Sequence, residues 1–421
     1  MAIYDYSGNE IMSGSENKFE PKPNDIPIVT ITGELYSTKA EGDSNVVISY
    51  KSTTLEFTDY AKAKVQGDSS QWYAKKNYTI KLFSDANRSK KSKRLFRNWD
   101  KERNKFVLKA NWIDHSHARN IVNARLWSQV MKARPDYAQL PQALREGNLA
   151  IDGFPVKVFN NGVYLGIYTW NLPKDSLYGL DSDIDSNCII QSDGDPNTSD
   201  LSMYFAASAI NNAWSDELHD TMPSIINTNW TSVLQFVNES SDSDFVAQIG
   251  NYIDVLSLID VHIFIQLTTL MDQIGKNQTF FTYNASKWYH SMYDMDGSWG
   301  LKAWNPAEGF KPTDFKFQES YYGYGRTGYG NKLHKRLTDL FLTDITSRYT
   351  QLRSSVLSED NIVSEFEKFM GYIPPYLYAE DAAETTGGGA FTEIPLASED
   401  HLRQIRDYVP KRLAYIDANL K

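Results

Sequence analysis

The strongest constraint on this chain is an apolar run that stops at an acid. Val255–Met271 is strongly hydrophobic with helical period, which predicts a buried helix. It feeds Asp272-Gln-Ile-Gly-Lys-Asn277. A short apolar stretch follows, and then Tyr293-Asp-Met-Asp-Gly-Ser-Trp-Gly300. Met292, Tyr293 and Met295 surround Asp294 and Asp296, so this segment reads as a largely interior strand whose alternation puts both carboxylates on one face. Buried carboxylates without a partner are costly, and a shared cation offsets that cost. The competing reading has Asp272 capping a helix end and the other two acids accepting turn hydrogen bonds.

An Asp five residues before an Asn, then a strand, then an acid before a Gly, is the order of parts in protein kinases. Phosphoryl transfer needs one carboxylate to orient the attacking hydroxyl and oxygen ligands to hold Mg²⁺ against the phosphates. The upstream chain supplies further parts. Ile26-Pro-Ile-Val-Thr-Ile-Thr32 reads as a strand with Pro27 at its tolerant start. Gly67-Asp-Ser-Ser70 reads as a turn, Lys75–Phe83 and Phe106–Ala110 as strands, and Asn111–Asn120 as leading into a helix that runs to about Lys132. Val156–Phe159 and Val163–Tyr168 form a hairpin around Asn160-Asn-Gly162.

In this order the motifs resemble the CotH kinase family, atypical kinases of the spore-coat type. The resemblance rests on Ile26–Thr32, Gly67-Asp-Ser-Ser70, Lys75-Lys-Asn-Tyr-Thr-Ile-Lys-Leu82, Asp114-His-Ser-His-Ala-Arg-Asn120, Asn161-Gly-Val-Tyr-Leu-Gly-Ile-Tyr168, Asp272–Asn277 and Tyr293–Gly297, and extends from about Ile26 to the C-terminus. It implies an α+β, two-lobed, atypical kinase-like fold with a β-rich N-lobe (26–170) and a mainly helical C-lobe (171–421), preceded by an arm (1–25). It also implies ATP with Mg²⁺ or Mn²⁺ between the lobes. Gly67, Ser69, Ser70, Lys76, Lys81 and Arg119 would meet the nucleotide, Asp272 would orient the acceptor hydroxyl, and Asn277, Asp294 and Asp296 would hold metal. Asp296 is favoured as the principal metal acid because Gly297 follows it. Two positions depart from the family pattern. Gln66 stands where the family usually has Arg, and Asp68 where it has Asn, which removes positive or neutral character near the phosphates. The helix from Ala118 to Lys132 carries no Glu to pair with a lysine, leaving Glu56, Glu102 and Glu146 unranked for that role.

Composition fits a large folded body. The 421 residues are 41% hydrophobic and 13% aromatic, ample for a core and against disorder. A net charge of −10 argues against nonspecific nucleic-acid or bilayer binding and allows steering of a basic protein partner. The lone Cys188 reads as a buried structural thiol. Met1–Gly8 lacks a basic, then apolar, leader, and no stretch is long and apolar enough to span a bilayer, so a cytoplasmic protein is expected. Tyr4-Asp-Tyr-Ser-Gly-Asn9 is similar to the starts of some phage tail and baseplate proteins, which points to incorporation into a phage particle or coat. Residues 181–250 read as an insertion with a helical piece at Leu201–Ala213, Gly323–Gly330 and Gly387–Gly389 as loops, and Lys332–Leu357 and Leu402–Leu420 as closing amphipathic helices. Asp114-His-Ser-His117 has no third His or Cys at zinc spacing, and helix capping is the stronger reading. The expected activity is phosphorylation of Ser or Thr on a structural coat or virion protein. The alternatives are a structural module that has lost turnover and an enzyme transferring AMP or another group.

Overall fold

The computed structural model describes residues 2–4, 10–13, 26–67, 69–96, 99–192, 205, 213–270, 272–301, 311–313, 331–385 and 398–420. Most of Leu201–Ala213, all of Gly323–Gly330 and Gly387–Gly389, and most of the N-terminal arm lie outside them. Within the arm, β1 (Ala2–Tyr4) pairs antiparallel with β2 (Glu10–Ser13).

A closed barrel follows, in the order β3 (Ile28–Thr32), β4 (Asp43–Lys51), β5 (Glu56–Gln66), β6 (Asn77–Phe83), β7 (Lys105–Lys109), β9 (Val163–Asn171) and β8 (Gly153–Asn160). Burial alternates along β3, β4 and most of β5. Val46, Ile48 and Tyr50 on β4 and Ala61, Ala63 and Val65 on β5 point inward, while their neighbours are exposed or half-buried. Small residues on β5 leave room for a ring cluster in which Phe106 meets Phe96 at 5.4 Å and Trp170 at 5.1 Å. The interior is therefore a packed core rather than a channel. Parallel pairing of β3 with β8 closes the barrel. Asn161 and Gly162, at φ 50° and 84°, make the tight turn between β8 and β9.

The rest of the chain shares a second core. It includes α1 (Arg119–Lys132), α2 (Gln142–Glu146), and an antiparallel sheet ordered β11 (Trp214–Asp216), β10 (Cys188–Ser192), β12 (Thr279–Thr282) and β13 (Trp288–Ser291). Around them stand α3 (Ser224–Glu239), α4 (Asp242–Tyr252), α5 (Val255–Thr268), α6 (Lys332–Leu340), α7 (Leu342–Arg353), α8 (Glu359–Met370), α9 (Pro375–Thr385) and α10 (Ser398–Asn419). The architecture is thus mixed α+β, with ten α-helices among the described residues. Cys188 is buried.

Helix α5 is the axle of this body. Asp254 caps it by accepting from Ser257 N at 2.8 Å, and almost every residue along it is buried. Its one buried acid, Asp260, is clasped by Arg348 of α7, which also donates to the carbonyls of Val130 and Ala133 at the end of α1. The helix stops at Thr269, which takes the left-handed conformation at φ 63°. No helix among the described residues is long and apolar enough to cross a membrane.

Candidate functional site

A cavity of about 460 Å³ opens between the barrel and the acidic segments. Gln66, Gly67, Ser70, Tyr73, Lys75, Asn77, Lys109 and Asn111 line it from the barrel and the segments leading off it. Lys174, Gln191, Glu217, Asp272, Lys276, Asn277, Tyr293, Asp294 and Asp296 line it from the helical body.

The turn that joins β5 to the Ser69 helical turn needs glycine. Gly67 sits at φ 105°, and a Cβ there would stand 1.7 Å from Ser70 Oγ. Ser70 Oγ accepts from Asn77 Nδ2 at 3.1 Å, and Asn77 Oδ1 accepts from Ala110 N at 2.7 Å, so the turn is tied to the ends of β6 and β7. Gln66, which stands in place of the family's arginine, accepts from Thr79 Oγ1 at 3.2 Å through its side chain. Asp68 and the side chain of Ser69 lie outside the described residues.

On the other wall, Asp272 opens a 3-10 turn, Asp272–Ile274. The next residues are pinned to β10. Ser192 Oγ donates to Gly275 O at 2.7 Å, Asn277 N donates to Ser192 O at 3.0 Å, and Gln191 Nε2 donates to Asn277 Oδ1 at 3.2 Å. Gln273, in that same turn, donates to the carbonyls of Tyr293 and Asp294 at 2.9 and 2.7 Å. The two acidic segments are therefore one rigid unit. The expected strand through Met292–Asp296 is absent, because β13 ends at Ser291 and Asp294 adopts φ 56°. This irregular backbone, not strand alternation, places Asp294 and Asp296 on one cavity. Asn277 and Asn111 are also left-handed, at φ 63° and 52°, so unusual backbone concentrates around the cavity.

Asn120 and Asn123 of α1 hold the second acidic segment from behind. Asn120 Oδ1 accepts from Met295 N at 3.2 Å, and Asn123 bonds Met295 O, Ser298 Oγ and Trp299 Nε1. Arg119 belongs to the same scaffold. Its guanidinium donates to Asp114 Oδ1 at 2.5 Å, Ser298 O at 3.1 Å and Gln404 Oε1 at 2.9 Å, and it does not line the cavity. Asp114 in turn accepts from Arg119 N at 2.8 Å, which is the capping role rather than a zinc role. The two lysines expected at phosphates also lie elsewhere. Lys76 donates to the carbonyls of Gln71 and Tyr73, bracing its own loop. Lys81 is exposed on β6 opposite Lys62 and Lys105. The cavity's cations are instead Lys39, Lys75, Lys109, Lys174 and Lys276. None of Glu56, Glu102 and Glu146 lines it; the acids beside cavity lysines are Asp294 next to Lys109, Glu217 at 2.8 Å from Lys174 and Asp381 of α9 at 2.8 Å from Lys75.

Electrostatics bind these groups together. Lys109 Nζ lies 2.5 Å from Asp294 Oδ1. Burial would raise the Asp294 carboxyl, but Lys109 outweighs it and holds it below the usual range. Asp296 goes the other way, pushed up to about 7 by burial and then by the Asp294 charge. Burial would lower Lys109, but the two carboxylates more than offset it and raise it. Tyr73 is pushed up to about 12 by burial and by Asp296, Asp294 and Asp272. The three aspartates thus act together on Tyr73, and Asp294 and Asp272 both act on Asp296. Among the described residues no three His, Cys, Asp or Glu side chains converge tightly enough to hold an ion unaided. Two carboxylates and an amide oxygen are hard donors of the kind Mg²⁺ and Mn²⁺ take, with substrate phosphates completing the sphere.

Residues 63–416 match the family profile described as CotH kinase protein. The chain belongs to the CotH kinase family. No curated protein matches it. The matched span contains both acidic segments, the Gly67 turn and every lysine of the cavity except Lys39. The CotH assignment makes a kinase-like function the coarse reading of the site.

Proposed function

We propose that the protein transfers a phosphoryl group from metal-bound ATP to a Ser or Thr hydroxyl of a structural protein of a coat or virion. The carrying observation is the convergence of Asp272, Asn277, Asp294 and Asp296 with five lysines around one cavity. Anionic and cationic groups interleaved this way suit a polyphosphate chelated by a hard cation and suit neither component alone.

In this reading Asn277, Asp294 and Asp296 would hold the ion, and Asp272 would accept the proton of the acceptor hydroxyl as its oxygen attacks the γ-phosphorus, whose bond to the bridging oxygen breaks so that ADP leaves. Bound there, the divalent ion supplies charge neutralisation for the phosphate oxygens. The backbone of the Gly67 turn approaches the phosphates closely because no side chain stands in the way. Lys109 is placed to neutralise charge growing on the transferred group, as a point charge rather than a fork. The barrel and the helical body act as the two lobes, with nucleotide between them. The net charge of −10 favours a basic acceptor.

The test is incubation with γ-labelled or α-labelled ATP, Mg²⁺ or Mn²⁺, and a Ser-rich basic protein. Transfer of the γ-label supports the proposal. Transfer of the α-label replaces it with adenylylation, and transfer of neither supports a structural module without turnover.

A further inference from the structure

We propose that Asp381, on α9, is the positioning carboxylate that sets Lys75 against the nucleotide, with His117 as its second anchor. This rests on the nucleotide reading of the cavity and adds to it a residue from near the far end of the chain.

Lys75 lines the cavity, yet its ammonium is not left to wander. It donates to Asp381 Oδ1 at 2.8 Å and to Ile167 O at 2.5 Å, and it sits 4.7 Å from the centre of the Tyr168 ring. Asp381 has further partners. Its Oδ1 also accepts from Ile167 N at 2.7 Å, and its Oδ2 lies 2.8 Å from His117 Nε2. Asn111 Nδ2 lies 3.4 Å from His117 Nδ1, and an amide nitrogen can only donate. His117 thus stands between Asn111 and Asp381, with Nε2 facing the carboxylate. Asn111 lines the cavity as well, so the network reaches it at two points.

The fold makes room for this pair at some cost. Gly166 on β9 has φ 102°, and a Cβ there would stand 2.2 Å from Asp381 Oδ1 and 2.8 Å from Lys75 Nζ. The register of β8 and β9 shifts beside it, between Val158 and Phe159. His117 is itself held at φ 56°. Side-chain exposure is 6% for Lys75 and 3% for Asp381. A buried ion pair is a poor stabiliser compared with apolar packing of the same volume. A pair that needs a glycine, a bulge and a left-handed histidine, and that also opens on the cavity, is better explained as fixing the direction of a functional ammonium. Burial would raise the Asp381 carboxyl, but Lys75 and His117 beside it hold it well below the usual range.

An acyl-phosphate derivative of ATP, which acylates lysines lying beside bound phosphates, tests the placement. With Mg²⁺ it should label Lys75 in the unaltered protein, and excess ATP should suppress the label. Kinetics on Asp381→Asn, Lys75→Met and the double variant test the coupling, at a temperature where each remains folded by circular dichroism. Asp381→Asn should raise KM for ATP and lower kcat/KM by about tenfold or more. The double variant should be no worse than Lys75→Met, because both act through one ammonium. Should Asp381→Asn fail to fold, the labelling result still decides. Nucleotide binding and transfer without labelling of Lys75, or losses that multiply in the double variant, overturn this inference alone. Failure of the unaltered protein to bind nucleotide overturns it together with the proposed function.

Discussion

Asp272 and Asp296 share one field, and the proposed function gives them different duties that substitution separates. Asp272→Ala should abolish transfer while leaving binding of ATP and metal within a few-fold, whereas Asp296→Ala should weaken that binding itself; calorimetry and label transfer on both variants check this. Stability gives an independent handle on Asp296. Its folded carboxyl titrates near 7 against an ordinary value of 3.8, so the folded state holds its proton more tightly than the unfolded chain. Its contribution is therefore favourable at low pH and is lost as pH rises through about 7. Metal-free Asp296→Asn should melt higher than the unaltered protein at pH 8 and close to it at pH 5, and metal with ATP should no longer raise its Tm. A lower Tm at pH 8 would make Asp296 a structural acceptor. The acids were legible in the chain because their spacing from the apolar helix is local. The lysines were not. Lys75 and Lys76 are neighbours facing opposite ways, and what selects Lys75 is a carboxylate 306 residues away. Arg119 reads as a phosphate ligand by its motif, but Asp114, Ser298 and Gln404 engage its guanidinium.

Among the elements, α5 and the β8–β9 hairpin followed directly from hydrophobic period and from Asn-Gly. The segment Met292–Asp296 did not, because its extended-looking composition is overruled by hydrogen bonds from Gln273, Asn120 and Asn123, all distant in sequence. The elements behind the site also carry a pH liability. His262 on α5, His290 on β13 and His401 on α10 are pushed down to about 3 by burial, and His334 on α6 well below its ordinary value. A depressed histidine takes up its proton more readily in the unfolded chain, so its stabilising contribution is present above about pH 6.5 and is lost as pH falls toward 3. Tm should therefore fall as pH drops from 6.5 to 4.5, above the range where most carboxylates titrate. His290→Gln should flatten that fall, and an unchanged slope in scanning calorimetry would show that His290 contributes nothing to it.

At the scale of the whole molecule, strands ahead of helices made an α+β class legible, and the motif order made the family legible. Closure of the barrel was hidden, because β3 and β8 pair in parallel across more than a hundred residues and no local pattern records it. Closure matters to function because it fixes the Gly67 turn, Lys75 and Lys109 on one rigid wall. The helical body does the same for Asp272, Asn277, Asp294 and Asp296 through β10 and α1. The helical body carries these four side chains with Lys174 and Lys276, and the opposite wall adds Lys75 and Lys109. On the proposed function, this cavity binds nucleotide only as a metal complex. Isothermal calorimetry of the full chain with ATP, once with Mg²⁺ and once with EDTA, tests it most directly. Saturable one-site binding with Mg²⁺ and none with EDTA is expected; equal affinity in EDTA, or no binding in either, would contradict metal-dependent nucleotide binding.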